Sequence, residues 1–151
     1  MNQQANKIIQ ELVDALGEAR RGYMAASRDA SRSHLKRILK EYADQRAAFA
    51  ESLMGSAETS EGSPNQQSIP TGVTESHHGW TNLRAVRATR SDLAILEECE
   101  RAEGVAESLY RDALAANVLN GTQSTVSDQY VKIRAAHEHL RALRDSVRQL
   151  S

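Results

Sequence analysis

The stretch LEECERAEGVAESLYRDAL, residues 96–114, decides how this chain is read. It contains no proline and no alternation of the strand kind, and Leu96, Glu103 and Tyr110 recur every seven residues. That interval stacks them along one line of a helix. Cys99 and Ala106 widen the line on one side, Glu100 and Glu107 on the other. Glu103 lies on the midline under either choice. A carboxylate on the inward line of a helix has to meet a cation, a metal ion or a hydrogen-bond donor, because an unpaired buried charge is too costly to keep.

The rest of the chain supplies the helices that would bury this line. Ala5, Ile9, Leu12, Leu16, Ala19, Tyr23 and Ala26 alternate steps of four and three, which predicts an amphipathic helix over 4–28. No carboxylate falls on that seam. The polar break SRDASRS (27–33) offers Ser31 and Ser33 as candidate N-caps, and a link this short makes the next helix an antiparallel neighbour. A second helix is predicted over 34–54, with the seam Leu35, Leu39, Tyr42, Arg46, Phe49 and Leu53. Arg46 intrudes on an apolar line. Two outcomes are open to it: its stem packs while the guanidinium escapes to water, or the head finds a partner inside.

Residues 55–72, GSAETSEGSPNQQSIPTG, are almost devoid of apolar side chains and read as a loop. Residues 73–88 place Val73, His77, Trp80 and Leu83 near one face, which predicts a short helix docked by Trp80, although Gly79 weakens it by about 1 kcal/mol. Loop and short helix together are long enough to retrace a helix of roughly 30 Å, so they are read as a crossover. Thr89 or Ser91 would cap the central helix, predicted over 92–117 with Asp92 in its first turn and Asn120-Gly121 as its stop. The last helix is predicted over 124–149. Its seam is Val126, Ile133, Leu140 and Val147, flanked by Tyr130, His137 and Arg144 on one side and Gln129, Ala136, Leu143 and Leu150 on the other.

Composition narrows the class. A chain of 151 residues fits one domain with a real core. With 4% aromatic residues and two prolines it suits helices better than strands. The formal net charge of -1 gives no general attraction to nucleic acid or to anionic lipid, and the basic residues are interleaved with acidic ones. A lone cysteine, Cys99, excludes an internal disulfide and fits a reducing compartment. No apolar run approaches the roughly 18 residues that a membrane span requires. A cytoplasmic protein is expected. No phosphate-binding glycine loop, zinc-finger spacing or catalytic triad is present.

Two helices, a long connection holding a small helix, and two more helices make an all-α four-helix bundle with a crossover. The chain resembles the proteobacterial ferritin-like four-helix-bundle family classified as a domain of unknown function. The resemblance rests on Gly22-Tyr23, on Arg46, on His77 with Trp80, on Glu98-Cys99-Glu100-Arg101-Ala102-Glu103, and on His137 with Leu140-Arg141-Ala142-Leu143-Arg144. It extends over nearly the whole chain, and its most specific part is the cysteine-containing run. Ser76 and His78 beside His77, Ala102 and Gly104 beside Glu103, and Arg21 depart from the family pattern.

A ferritin-like resemblance implies a two-iron centre, which draws one Glu from each of two helices and a Glu-x-x-His pair from each of the others. The residues do not supply it. The first helix has no inward carboxylate, Glu41-x-x-Asp44 lies off the second seam, and Arg134 stands where a Glu would have to precede His137. Two arrangements then compete. In one, Arg46 makes a bidentate pair with Glu103 or Glu100, and His137 and Tyr110 complete an interior polar network. In the other, Glu100, Glu103, His137 and His77 hold a single Fe or Zn ion, against which an inward Arg46 argues. The network is the preferred reading. The expected function is that of a non-enzymatic bundle acting through self-association or a protein partner, the alternative being metal handling or oxidative-stress chemistry. Leu53 and Met54 are the apolar positions that hint at a contact surface.

Overall fold

The four apolar seams turn inward together. The computed structural model describes residues 3–58, 80 and 91–150. Helix α1 spans Gln3–Asp29 and buries the whole predicted seam from Ala5 to Ala26. Helix α2 spans Ser33–Glu58 and buries Leu35, Leu39, Arg46, Phe49 and Leu53. Helix α3 spans Asp92–Ala115, and helix α4 spans Gln123–Leu150, burying Val126, Ile133, Leu140 and Val147. Each Leu or Ile so removed from water contributes roughly 1.5–3 kcal/mol. The described residues form an all-α bundle with no strand among them, and no helix is long and apolar enough to cross a membrane.

Helix α1 packs on α2, and α3 on α4, each pair antiparallel across a short link. The two pairs meet where Tyr23 of α1 reaches Glu103 of α3, and where α2 meets α4 at Tyr42–His139 and Phe49–Gln129. Helix α3 starts beside the α1–α2 turn, whereas α2 ends at the far end of the bundle. The two therefore run in the same direction. The short helix expected over 73–88 and most of the loop expected over 55–72 lie outside the described residues.

Asp92 holds the start of α3 against the turn. Ser91 is the N-cap, accepting from the Ala94 backbone N–H at 3.1 Å. The Asp92 carboxylate accepts from the Ser31 N–H (2.7 Å), the Ser31 hydroxyl (2.9 Å), the Arg32 N–H (3.3 Å) and Arg32 Nη1 (2.7 Å). Burial works against the charged carboxylate, but the hydrogen bonds from Ser31 and Arg32 outweigh it and hold Asp92 below its ordinary value of 3.8.

Two boundaries and one burial differ from expectation. Helix α2 continues to Glu58 instead of stopping at 54. One glycine, Gly55, costs a helix about 1 kcal/mol, too little to end one that is already packed. Helix α3 stops at Ala115, before the expected Asn120-Gly121. Asn117 takes the left-handed conformation there (φ 55°), a role asparagine tolerates at a helix end. A second positive φ at Asn120 (47°) opens the 3-10 turn Asn120–Thr122, which leads into α4. Leu53 is not a surface residue: it is 0% exposed, four places beyond Phe49 on the seam, and only Met54 remains open at 44%.

Candidate functional site

The apolar interior divides into two parts. One, toward the α1–α2 turn, gathers Tyr23, Leu35, Leu39, Ile95, Leu96, Cys99 and Leu140. The other holds Ile9, Leu12, Leu16, Leu53, Tyr110, Leu119, Val126 and Ile133. Arg46 and Glu103 lie at the junction, 0% and 1% exposed. Heptad spacing puts both there: Arg46 stands between Tyr42 and Phe49 on α2, and Glu103 between Leu96 and Tyr110 on α3.

Arg46 Nη1 lies 3.0 Å from Glu103 Oε1 and 2.8 Å from Oε2. The Tyr23 hydroxyl donates to Oε1 from the opposite helix. The pair is not the expected bidentate fork, because one nitrogen straddles both oxygens while Nε donates to Gln45 Oε1 at 3.1 Å. The contact to Oε2 is close enough for ion pairing but lies outside hydrogen-bond geometry, and Arg46 Nη2 has no hydrogen-bond partner among the described residues. The guanidinium instead lies among π faces, with Cζ 5.5 Å from the Tyr23 ring centre, 5.9 Å from Tyr42 and 5.8 Å from Phe49. Such contacts stabilise a desolvated cation by about 2 kcal/mol.

Burial alone would lower the Arg46 pKa, but the neighbouring Glu103 carboxylate outweighs it and holds the guanidinium above its ordinary value. Burial, reinforced by Glu103, pushes the Tyr23 phenol well above 10.0. Burial and the nearby Glu103 and Glu98 likewise push the Cys99 thiol well above 9.0, and the side chain is packed at 0% exposure.

Trp80 closes the turn side of this centre. Its ring stands edge-on to Tyr23 (5.0 Å, 71°) and lies on Gly22, where an added Cβ would come within 2.4 Å of the indole. Only glycine admits the ring at that distance. Tyr42 is tilted against Tyr23 at 5.5 Å and passes its hydroxyl contact to His139 Nδ1 at 2.6 Å, at the surface.

The other residues expected at the site go elsewhere. His137 and Glu100 do not join Arg46 and Glu103. They lie on the α3–α4 flank, where His137 Nδ1 is 2.8 Å from Glu107 Oε1 and Nε2 is 3.6 Å from Glu100 Oε2. Glu100 is also held by Arg144 and by Arg141 Nε at 3.5 Å. The cause is angular: Glu100 and Glu107 are two turns apart on one edge of α3, and the imidazole lies between them over Gly104, where an added Cβ would make only an ordinary contact at 3.5 Å with Cε1. Tyr110 donates to Gln129 Oε1 at 2.6 Å, and Gln129 Nε2 donates to the Phe49 carbonyl at 3.2 Å, a separate link one layer away. His77 lies outside the described residues. Among the described residues no group of three or more His, Cys, Asp or Glu side chains converges as a metal site would require.

Sequence reasoning missed Tyr23, Glu107 and Gln129. Tyr23 was legible as the hydroxyl-bearing residue of the α1 seam, and Glu107 as the partner of Glu100 seven residues on. Gln129 gave no such sign, since a flank position serves equally well for solvent.

No curated protein and no solved structure matches the chain. The family described as "Domain of unknown function (DUF2383)" matches residues 4–116, a span that contains Tyr23, Arg46, Trp80 and Glu103. It covers α1, α2 and α3, well over half of the sequence, and the chain therefore belongs to the DUF2383 family.

Proposed function

We propose that the protein is a non-enzymatic, cytoplasmic helical bundle that acts through association, with itself or with a protein partner. The observation that carries this reading is the state of Glu103. A metal-binding or catalytic carboxylate needs to be open to its ligand, and here Glu103 is 1% exposed, with Oε1 hydrogen-bonded by Arg46 and Tyr23 and Oε2 ion-paired with the same guanidinium. A guanidinium at 2.8 Å also repels any divalent cation approaching the same carboxylate. The centre serves the fold: it ties α1, α2 and α3 to one register, and a bundle whose charged interior is engaged in this way acts through its surface. A polar pair that specifies one packing is an attested use of buried charge.

Elemental analysis tests this on protein purified without chelators or a metal-affinity tag, alongside sedimentation velocity. The reading expects no stoichiometric metal and a species heavier than one chain, alone or with a partner. About one Fe or Zn per chain, lost in Glu103→Gln or His137→Ala, would replace it with a ferritin-like bundle for metal handling or oxidative stress.

A further inference from the structure

The outer face of the α1–α2 hairpin is polarised in register. Opposite the buried seams, Asp14, Arg21 and Arg28 follow one another at intervals of seven along α1, and Arg37, Asp44 and Glu51 do so along α2, all six exposed. The helices are antiparallel and aligned by the Ser27 hydroxyl bonding to the Lys36 carbonyl. The cations of both stripes therefore lie toward the turn, and the anions lie toward the other end. Exposed Arg20 strengthens the basic half, and exposed Glu11 the acidic half. The Lys40–Asp44 pair (3.0 Å) marks the border, and Lys7, at the far tip of α1, is the one cation out of place. Arg20, Arg21, Arg28, Arg37, Glu11, Asp14 and Glu51 make no ion pair among the described residues. The α3–α4 side differs, because Glu97, Glu100, Arg141, Arg144 and Arg148 there pair with one another.

We propose that this face docks on the same face of a second copy, antiparallel, with the basic half of each hairpin on the acidic half of the other. The inference names the partner left open by the association reading and rests on it. A two-fold axis across the middle of the hairpin exchanges the two ends, so Arg28 of one copy falls near Glu11 of the other, and Arg37 near Glu51. Such a self-complementary patch is what a closed two-fold dimer requires. A polyanion fits less well, because the acidic half adjoins the basic one and the chain carries a net charge of only -1. Exposed ion pairs are individually weak, so the dimer depends on several acting together and on low salt.

The test is sedimentation velocity of the full chain at about 0.01 M and about 1 M salt, where the screening length falls roughly tenfold. Two charge-reversed variants accompany it: Arg21→Glu/Arg28→Glu/Arg37→Glu and Glu11→Lys/Asp14→Lys/Glu51→Lys, each checked for intact helix by circular dichroism. The wild type is expected to dimerise with a dissociation constant that rises about tenfold or more with salt. Each variant alone is expected to be monomeric, and their equimolar mixture to dimerise again. A dimer unchanged in both variants would overturn this face and leave association standing. A chain monomeric at every concentration in low salt would remove the face and self-association together. Binding of the wild type, but not the arginine variant, to single-stranded DNA without dimerisation would assign the basic half to a polyanion and overturn the proposal.

Discussion

Replacing Gly22 with alanine should destabilise the protein, contrary to the helix preferences of the two residues. In an open helix the change would stabilise by about 0.8–1 kcal/mol. Here the new Cβ would lie 2.4, 2.5 and 2.8 Å from three indole carbons of Trp80, and normal carbon contacts are about 3.5–4.0 Å. The ring must retreat by about an ångström. Overpacking of this kind costs about 1–3 kcal/mol, and the edge-on contact with Tyr23 that is lost is worth about 0.5–1.5. Against the gain in helix preference, the net loss is about 0.5–3.5 kcal/mol. Urea denaturation followed by circular dichroism measures it. Trp80 is the sole tryptophan and is 9% exposed, so its emission reports the displacement directly by shifting to the red. In a Trp80→Ala background the same substitution should become stabilising by about 1 kcal/mol. Stabilisation in the wild-type background, with unchanged emission, would refute the seating of Trp80 on Gly22.

The remaining predictions concern the turn and the buried thiol. Asp92 has a folded pKa below 3.8, so its stabilisation is fully present above the unfolded value of about 3.9 and is lost as pH falls through the lower, folded one. Acid titration of stability should show that loss in the wild type, and Asp92→Asn should be less stable at neutral pH and flatter across the window. Cys99, 0% exposed with its thiol pKa raised, should resist a thiol reagent at pH 8 in the native state and react promptly in 6 M guanidinium. Fast native labelling would mean that α3 opens readily at this position.

The helices were legible because burial in a bundle repeats with the helix period, and the α1 seam from Ala5 to Ala26 is inside without exception. The inward placement of Glu103 and Arg46 follows from the same spacing. Their partners do not, since a seam tells which residues face inward and not which heights on different helices coincide. Tyr23 reaches Glu103 only because α1 and α3 are offset as the Asp92 clamp sets them. His137 illustrates the opposite limit: an edge position can turn to either side, and here it lies with the carboxylates of Glu100 and Glu107 on the flank. The helix ends were misplaced where one residue weighed too much, as with Gly55, or where an asparagine served in place of the expected Asn-Gly, as with Asn117.

The central claim is that Arg46 and Glu103 satisfy each other in the core, and a double-mutant cycle tests it most directly. Arg46→Met and Glu103→Leu, each alone, leave an uncompensated buried charge and should cost about 3–5 kcal/mol in urea denaturation. Together they remove both charges, leaving mainly the Tyr23 hydroxyl without its acceptor, a loss of about 1–3 kcal/mol. Glu107→Ala, on the partly exposed flank, serves as the control and should cost less than about 1 kcal/mol. A double variant more stable than either single one is the predicted result; a double loss equal to the sum of the two would show that the residues act independently and contradict the account.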